Sequence, residues 1–364
     1  MWPDRRLLDL FRIELPIIQA PMAGANGSAL AIAVSEAGGL GSLPCAMLDA
    51  AKVRAEMGVI RQRTARPINV NFFCHEPPKP DPQRDAAWKA RLQAYYVEEG
   101  LDPGASAPAV NRAPFDEAMC AIVEDLKPEV VSFHFGLPGA PLLDRVKAAG
   151  CLVISSATTA EEARWLEARG CDAIIAQGYE AGGHRGMFLT GDIATQAGIL
   201  ALLPQVVDAV KVPVIAAGGI ADGRGIAAAF ALGASGVQVG TSYLFTPEAT
   251  ITGLHRAALQ DARDDRTALT NLFSGRPARG LVNRLMREEG PMSQLAPAFP
   301  TAGIALAPLK AKAEAAGRSD FSSLWSGQAA ALGREMGAAE LTRKLAQDAL
   351  QRLKAMATPG AGMP

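Results

Sequence analysis

Asp172-Ala173-Ile174-Ile175-Ala176 runs directly into Gln177-Gly178-Tyr179-Glu180-Ala181-Gly182-Gly183-His184-Arg185-Gly186. The first five residues form a short run that is apolar on both faces, which predicts a strand in a sheet covered on both sides. The next ten carry too many glycines for helix or strand and predict a loop at the strand's C-terminal end. Glycines let backbone approach a flat ligand, and histidine titrates nearest neutral pH, so such a loop suits acid–base chemistry. A lone histidine is more often structural, so the surroundings of the loop decide its weight.

Working outward, similar short apolar runs occur at 15–19, 39–42, 67–73, 130–135, 151–154, 212–216 and 236–239. Helical patterns separate them. Ser28 is a candidate N-cap for the helix that follows the first strand, Asp49 for the second and Asp222 for the helix ending at Gly233. Thr158 with Glu161, or Thr159 with Glu162, can form a capping box. Further helices are expected at 115–126, 141–149 and 195–210. Eight strand–helix alternations predict an α/β fold, a (β/α)8 TIM barrel, with a doubly wound open sheet as the alternative.

Two stretches break the alternation. Residues 74–113 hold Pro77, Pro78, Pro80 and Pro82, a charged helical piece around Trp88, and Pro103-Gly104. Residues 246–337 add several prolines and Gly275-Arg276-Pro277-Ala278-Arg279-Gly280 before an amphipathic helix at 338–356. The expected organisation is therefore a barrel of 1–245 plus 338–357, with an insertion at 74–113, and a cap at 246–337. Both insertions are expected to fold over the C-terminal ends of the strands, and the tail 358–364 to be disordered.

Composition narrows the function. The 364 residues are 49% hydrophobic, ample for a large core, either as one big α/β barrel or as two domains. Thirty-six basic residues nearly cancel thirty-seven acidic ones, so neither nucleic acid nor a membrane surface is an expected partner. No apolar run is long enough to span a bilayer, and the N-terminus does not read as a signal peptide. Cys45, Cys74, Cys120, Cys151 and Cys171 have neither metal nor redox spacing and are expected to be reduced thiols of a cytoplasmic protein. No metal site is expected.

Active sites of such barrels lie at the strands' C-terminal ends. Ala216-Ala217-Gly218-Gly219-Ile220 follows the seventh strand, and Val239-Gly240-Thr241-Ser242 the eighth. These two loops often bind phosphate through backbone N–H groups, although a glycine pair alone can be a tight turn. Asn71 and Gln177 end two strands and can hydrogen-bond a ring with donors and acceptors, or simply cap loops. His134 sits among aromatics and is expected to be structural. His75 and His255 have no supporting context. Arg276 and Arg279 can pair with a phosphate or with acids of the cap, the structural role being favoured. Trp88, Tyr95 and Tyr96 are expected to pack the insertion.

Together these stretches resemble the nitronate monooxygenase family, formerly called 2-nitropropane dioxygenases, in its bacterial class I form. The resemblance rests on the segments 16–24, 69–72, 177–186, 216–220, 233–241, 274–280 and 323–328, and covers nearly the whole chain. It implies a TIM barrel that binds FMN non-covalently. Pro21, Met22 and Ala23 would line the flavin. Asn71, Gln177 and Gly182 would contact its ring or ribityl chain. Gly218, Gly219, Gln238, Val239, Gly240 and Thr241 would hold the phosphate end. His184 matches the family's catalytic histidine, as a base toward a nitroalkane or as a holder of the nitronate anion. The reaction implied is oxidation of an alkyl nitronate by O2 to a carbonyl compound and nitrite. An FMN-dependent NAD(P)H-using reductase and a non-catalytic flavin-binding barrel are the alternatives. One departure concerns substrate range: class I relatives often carry tyrosines and a lysine before the Ser-Leu-Trp motif, where this chain has Phe299 and an apolar run to Ala307.

Overall fold

A computed structural model describes residues 1–104 and 112–357. In chain order its strands are β1 (Ile17–Gln19), β2 (Gly41–Pro44), β3 (Ile68–Phe73), β4 (Val130–His134), β5 (Leu152–Ala157), β6 (Ala173–Gln177), β7 (Gly183–His184), β8 (Val214–Ala217), β9 (Gly236–Val239), β10 (Thr267–Thr270) and β11 (Ala278–Leu281). Eight of these form one parallel sheet in the order β1-β9-β8-β6-β5-β4-β3-β2. The ring closes where Gln19 N–H donates to the Leu40 carbonyl (3.0 Å) and Leu40 N–H to that of Ile17 (2.9 Å). Closure excludes the open-sheet alternative, and the fold is a (β/α)8 TIM barrel. Its strands are buried on both faces because helices cover the outside while the inside is packed, so runs such as Ala173–Gln177 need no polar alternation.

The helices start where local chemistry satisfies their first N–H groups. Asp49, Thr159 and Asp222 accept from the backbone of Lys52, Glu162 and Arg224. Glu162 also reaches back to the N–H and hydroxyl of Thr158, both at 2.7 Å, and its other oxygen accepts from Phe188 N–H at 2.6 Å. Ser28 is not an N-cap. Gly27 takes that position, and Ser28 N–H donates to Glu56 Oε2 at 2.8 Å from the neighbouring helix Ala50–Arg63. A tertiary carboxylate replaces the local hydroxyl there, which no short-range pattern reveals.

The helix Ala338–Ala357 packs against Gly223–Ala231 and Ser28–Glu36, where a ring of eight needs its last helix. The insertion helix Pro82–Glu98 shares a separate apolar core with residues of the late segment: Trp88, Leu92 and Tyr96 pack with Leu272, Leu285, Leu309 and Phe321. Trp88 Nε1 donates to the Ala302 carbonyl (3.0 Å) and the Tyr96 hydroxyl to that of Ala305 (2.7 Å). The expected packing role of this aromatic cluster therefore holds, with its partners in the late segment. β7, β11 and β10 make a small antiparallel sheet that ties the histidine loop to that same segment. Among the described residues no helix is long and apolar enough to cross a membrane, and all five cysteines are free thiols. The tail 358–364 lies outside the described residues.

Candidate active site

A cavity of about 360 Å³ opens at the C-terminal ends of the barrel strands. That lies within the usual range for small-molecule sites. Pro21, Met22, Ala23, Asn71, Gln177, Gly182, His184, Gly218, Gly219, Gln238, Gly240 and Thr241 all line it. Val239 does not: its side chain is buried in the core, and its carbonyl accepts from Ala20 N–H at 2.8 Å.

One side of the cavity is made mainly of backbone. Gly218 and Gly219 follow β8 with φ of +105° and +69°, in the left-handed region that favours glycine. A Cβ on Gly218 would lie 3.0 Å from Ala181 N and 3.1 Å from the Gly178 carbonyl. Gln238 presents a buried Oε1 that has no hydrogen-bond partner among the described residues. A buried unpaired acceptor costs free energy unless something completes it, so this oxygen marks a place for a ligand donor. In the loop after the neighbouring strand β1, Met22 N–H donates to Asn26 Oδ1 (2.9 Å), which pins the Pro21-Met22-Ala23 turn.

The histidine loop is held by its own strand. Gln177 Nε2 donates to the His184 carbonyl (2.9 Å), and Gln177 Oε1 accepts from Gly186 N–H (2.7 Å). Arg185 is fully buried and donates to the carbonyls of Gln177 (2.7 Å) and Gly178 (2.6 Å) and to Gln196 Oε1 (2.9 Å). Gly182 is required by packing as well: a Cβ there would fall 2.5 Å from Gly327 N. Asn71 Nδ2 bonds the Ser132 hydroxyl (2.9 Å) and carbonyl (3.2 Å). Both amides thus anchor structure while lining the cavity.

His184 Nε2 lies 2.8 Å from the Ser274 hydroxyl. Burial holds its pKa well below the ordinary histidine value, and the charge of Arg112 adds to the effect, followed by His134, Arg276 and His75. The imidazole is therefore neutral at neutral pH. His134 Nε2 lies 3.2 Å from the His184 carbonyl, which can only accept, so His134 carries its proton there and accepts from the Ser156 hydroxyl at Nδ1 (3.1 Å). That is the expected structural role, with a specific object: the backbone of the candidate catalytic residue. Burial pushes both His75 and His134 down to about 4.

Aromatic rings surround this end. Phe299 lies 5.3 Å from His184 and 4.8 Å from His75, and Trp325 lies 5.4 Å from His184. Arg276 stacks 4.0 Å from the Phe135 centroid and donates to the Met187 carbonyl (2.5 Å). Arg279 donates to the Tyr179 carbonyl (3.0 Å) and the Thr267 hydroxyl (3.2 Å). The partners of both arginines are carbonyls, a hydroxyl and rings, so their role is structural. Sequence reading missed Arg112, Ser274 as the partner of His184, and Trp325. The last two stood inside quoted motifs, and β11 brings Ser274 to the loop by pairing Ala278 with His184.

Known proteins resemble this chain over nearly its whole length. The family model described as nitronate monooxygenase matches residues 4–348. A nitronate monooxygenase of Pseudomonas aeruginosa is 44% identical over 347 residues, covering 94% of this chain and 98% of that protein. One from Paraburkholderia phytofirmans is 42% identical, with 96% of each chain covered. Among solved structures, a nitroalkane oxidase from Streptomyces ansochromogenes superposes with a TM-score of 0.87 at 41% identity, covering 96% of this chain and 99% of that one.

Proposed function

We propose, from the premise that this chain belongs to the nitronate monooxygenase family, that its barrel cavity holds FMN and oxidises alkyl nitronates with O2 to a carbonyl compound and nitrite. The family is flavin-dependent. FMN in particular is favoured by the left-handed glycines and the unpartnered Gln238 Oε1 on one side of the cavity. Gly218, Gly219, Gly240 and Thr241 would hold the phosphate end through backbone and hydroxyl donors, and Gln238 would accept from the ligand. Pro21, Met22, Ala23, Asn71, Gln177 and Gly182 would line the ring system. When bound, the flavin supplies the electron-transfer chemistry.

The chain's own residues supply position, dryness and proton handling. The observation that carries the proposal is the placement of a neutral His184, fixed on Ser274, in the same cavity as the glycine turns. A neutral imidazole can take the carbon proton of a neutral nitroalkane. It cannot itself contribute the positive charge that would hold a nitronate. Phe73, Phe135, Phe299 and Trp325 around it keep bulk water from the reacting atoms. In this proposal residues 1–245 with 338–357 form the flavin barrel, and 246–337 form the cap that shapes the substrate end. The free thiols suit a cytoplasmic setting.

Anaerobic mixing of the purified holoprotein with an alkyl nitronate, and separately with NADH, tests the assignment through flavin absorbance. The expected result is a yellow protein with releasable FMN whose absorbance changes on adding nitronate, and nitrite formation once O2 is admitted. Bleaching by NADH alone, with no response to nitronate, would support a reductase instead. A colourless protein that takes up no FMN would overturn the cofactor assignment.

A further inference from the structure

Arg112 is unusual among the residues that line the cavity. The other lining cation, Lys310, has Glu314 at 3.9 Å. Arg112 has no acidic partner among the described residues, and its Nε is buried with no hydrogen-bond partner among them. Residues 105–111, outside the described set, read Ala-Ser-Ala-Pro-Ala-Val-Asn in sequence and contain no acid. An arginine stays charged at neutral pH even when partly desolvated, so the cavity holds an uncompensated positive charge. Leaving such a charge unpaired is costly unless an anion visits it.

Its place in the ring identifies that anion. Phe115 N–H donates to the Phe73 carbonyl (2.7 Å), so the chain just after Arg112 returns to the end of β3. In the strand order, β3 lies four strands from β8 in either direction. Arg112 therefore stands across the barrel mouth from Gly218 and Gly219, away from the turns assigned to the flavin phosphate. It stands instead at the histidine end, where its charge acts on both His75 and His184.

We propose that Arg112 is the anion-binding residue for the substrate, holding the two negatively charged oxygens of the nitronate beside the neutral His184. This rests on the proposed function. A guanidinium presents paired N–H donors that match two oxygens on one planar centre. The aromatic walls exclude water, which strengthens the contact. The arrangement separates labour: Arg112 supplies charge, and His184 stays neutral because it is buried, with the Arg112 charge adding to the effect. It also favours the nitronate anion over its neutral nitroalkane conjugate acid.

The test compares the FMN-loaded wild type with Arg112→Met, which keeps the unbranched stem but loses the charge, and Arg112→Lys, which keeps charge but loses the fork. Nitrate serves as an inert planar anion, and its binding is followed by perturbation of the flavin spectrum. Arg112→Met is expected to raise the ethylnitronate KM and the nitrate Kd by about tenfold or more, with kcat within about threefold. FMN content, melting temperature and the affinity for neutral nitroethane should stay at wild-type values. Arg112→Lys should recover part of the loss. Unchanged nitrate affinity and KM in Arg112→Met would overturn the proposal, as would loss of FMN with nitrate affinity of the remaining holoprotein intact. If the wild type oxidises no nitronate yet nitrate binding depends on Arg112, the anion site stands and the proposed function falls.

Discussion

The two sides of the barrel mouth are built by different means. After β8 and β9 the wall is backbone: left-handed Gly218 and Gly219, then Gly240 and Thr241. Beyond β3, β4 and β6 the wall is side chains: Phe73, His134, His184, Trp325 and Arg112 line the cavity, with His75, Phe135 and Phe299 packed against them. The first wall is made by short local turns whose shape follows from residue type. The second is assembled from segments as far apart as His75 and Trp325, 250 residues along the chain, and each ring there depends on its neighbours. Backbone recognises a constant group such as a phosphate; side chains can be exchanged to suit a changing substrate.

The sharpest break in that comparison comes from His184. Replacement by Asn keeps some hydrogen-bonding capacity toward Ser274 but removes the titrating group. His184→Asn is expected to keep FMN and melting temperature while kcat with a neutral nitroalkane, whose carbon proton must be removed, falls about 100-fold or more, the range for loss of a positioned acid–base group. Near-normal nitrite production would remove His184 from the chemistry, and an unstable variant poor in flavin would make it a core residue. The glycine wall should fail in the opposite sense. Gly219→Val places a β-branched residue at φ +69°, with its Cβ 3.3 Å from Glu180 Cβ. Strain of about 1–3 kcal/mol there should weaken FMN by about tenfold or more, while turnover per bound flavin changes little. Equilibrium dialysis of FMN beside turnover normalised to bound flavin checks this. If per-flavin turnover collapsed while affinity held, the division between the walls would be wrong.

The same contrast governs what could be read from the sequence. The strands were legible because a fully covered parallel sheet needs uninterrupted apolar runs, and the glycine turns because few other residues adopt their conformation. His184 and Gln177 were legible for their place at the end of a strand. Arg112 was not: nothing in Asn111-Arg112-Ala113 distinguishes a cavity cation from a solvated one, and only the fold brings it to the end of β3. Phe299 was noted as a departure from the family pattern, but its contacts with His75 and His184 depend on tertiary packing. Ser28 misled for a related reason, since Glu56 on another helix supplies its acceptor.

Acid should act on one wall and spare the other, with the smallest effect of the three. His75 and His134 are pushed down to about 4 by burial, with Arg276 adding to both, Arg112 to His75 and Arg185 to His134. In the unfolded chain both return to the ordinary value near 6.5. Between about pH 6.5 and 4 the unfolded state therefore binds protons that the native state does not, and native stability falls as pH falls through this window. Above it the contribution is fully present. The paired carboxylates Asp4 and Asp222 have pKa values held below 3.8, so their contribution is lost only at more acid pH. The melting temperature is expected to decline between pH 6.5 and 4.5, before the carboxylates take part. His134→Gln removes one of four such groups, since burial lowers His184 and His255 as well. It should melt lower than wild type at pH 7, because the bond to the His184 carbonyl is perturbed, yet show a shallower decline with acid. Parallel melting curves for the two proteins across that window would mean that His134 is not held neutral by burial. Gly219→Val, altered only on the backbone wall, should keep the wild-type slope whatever its absolute stability.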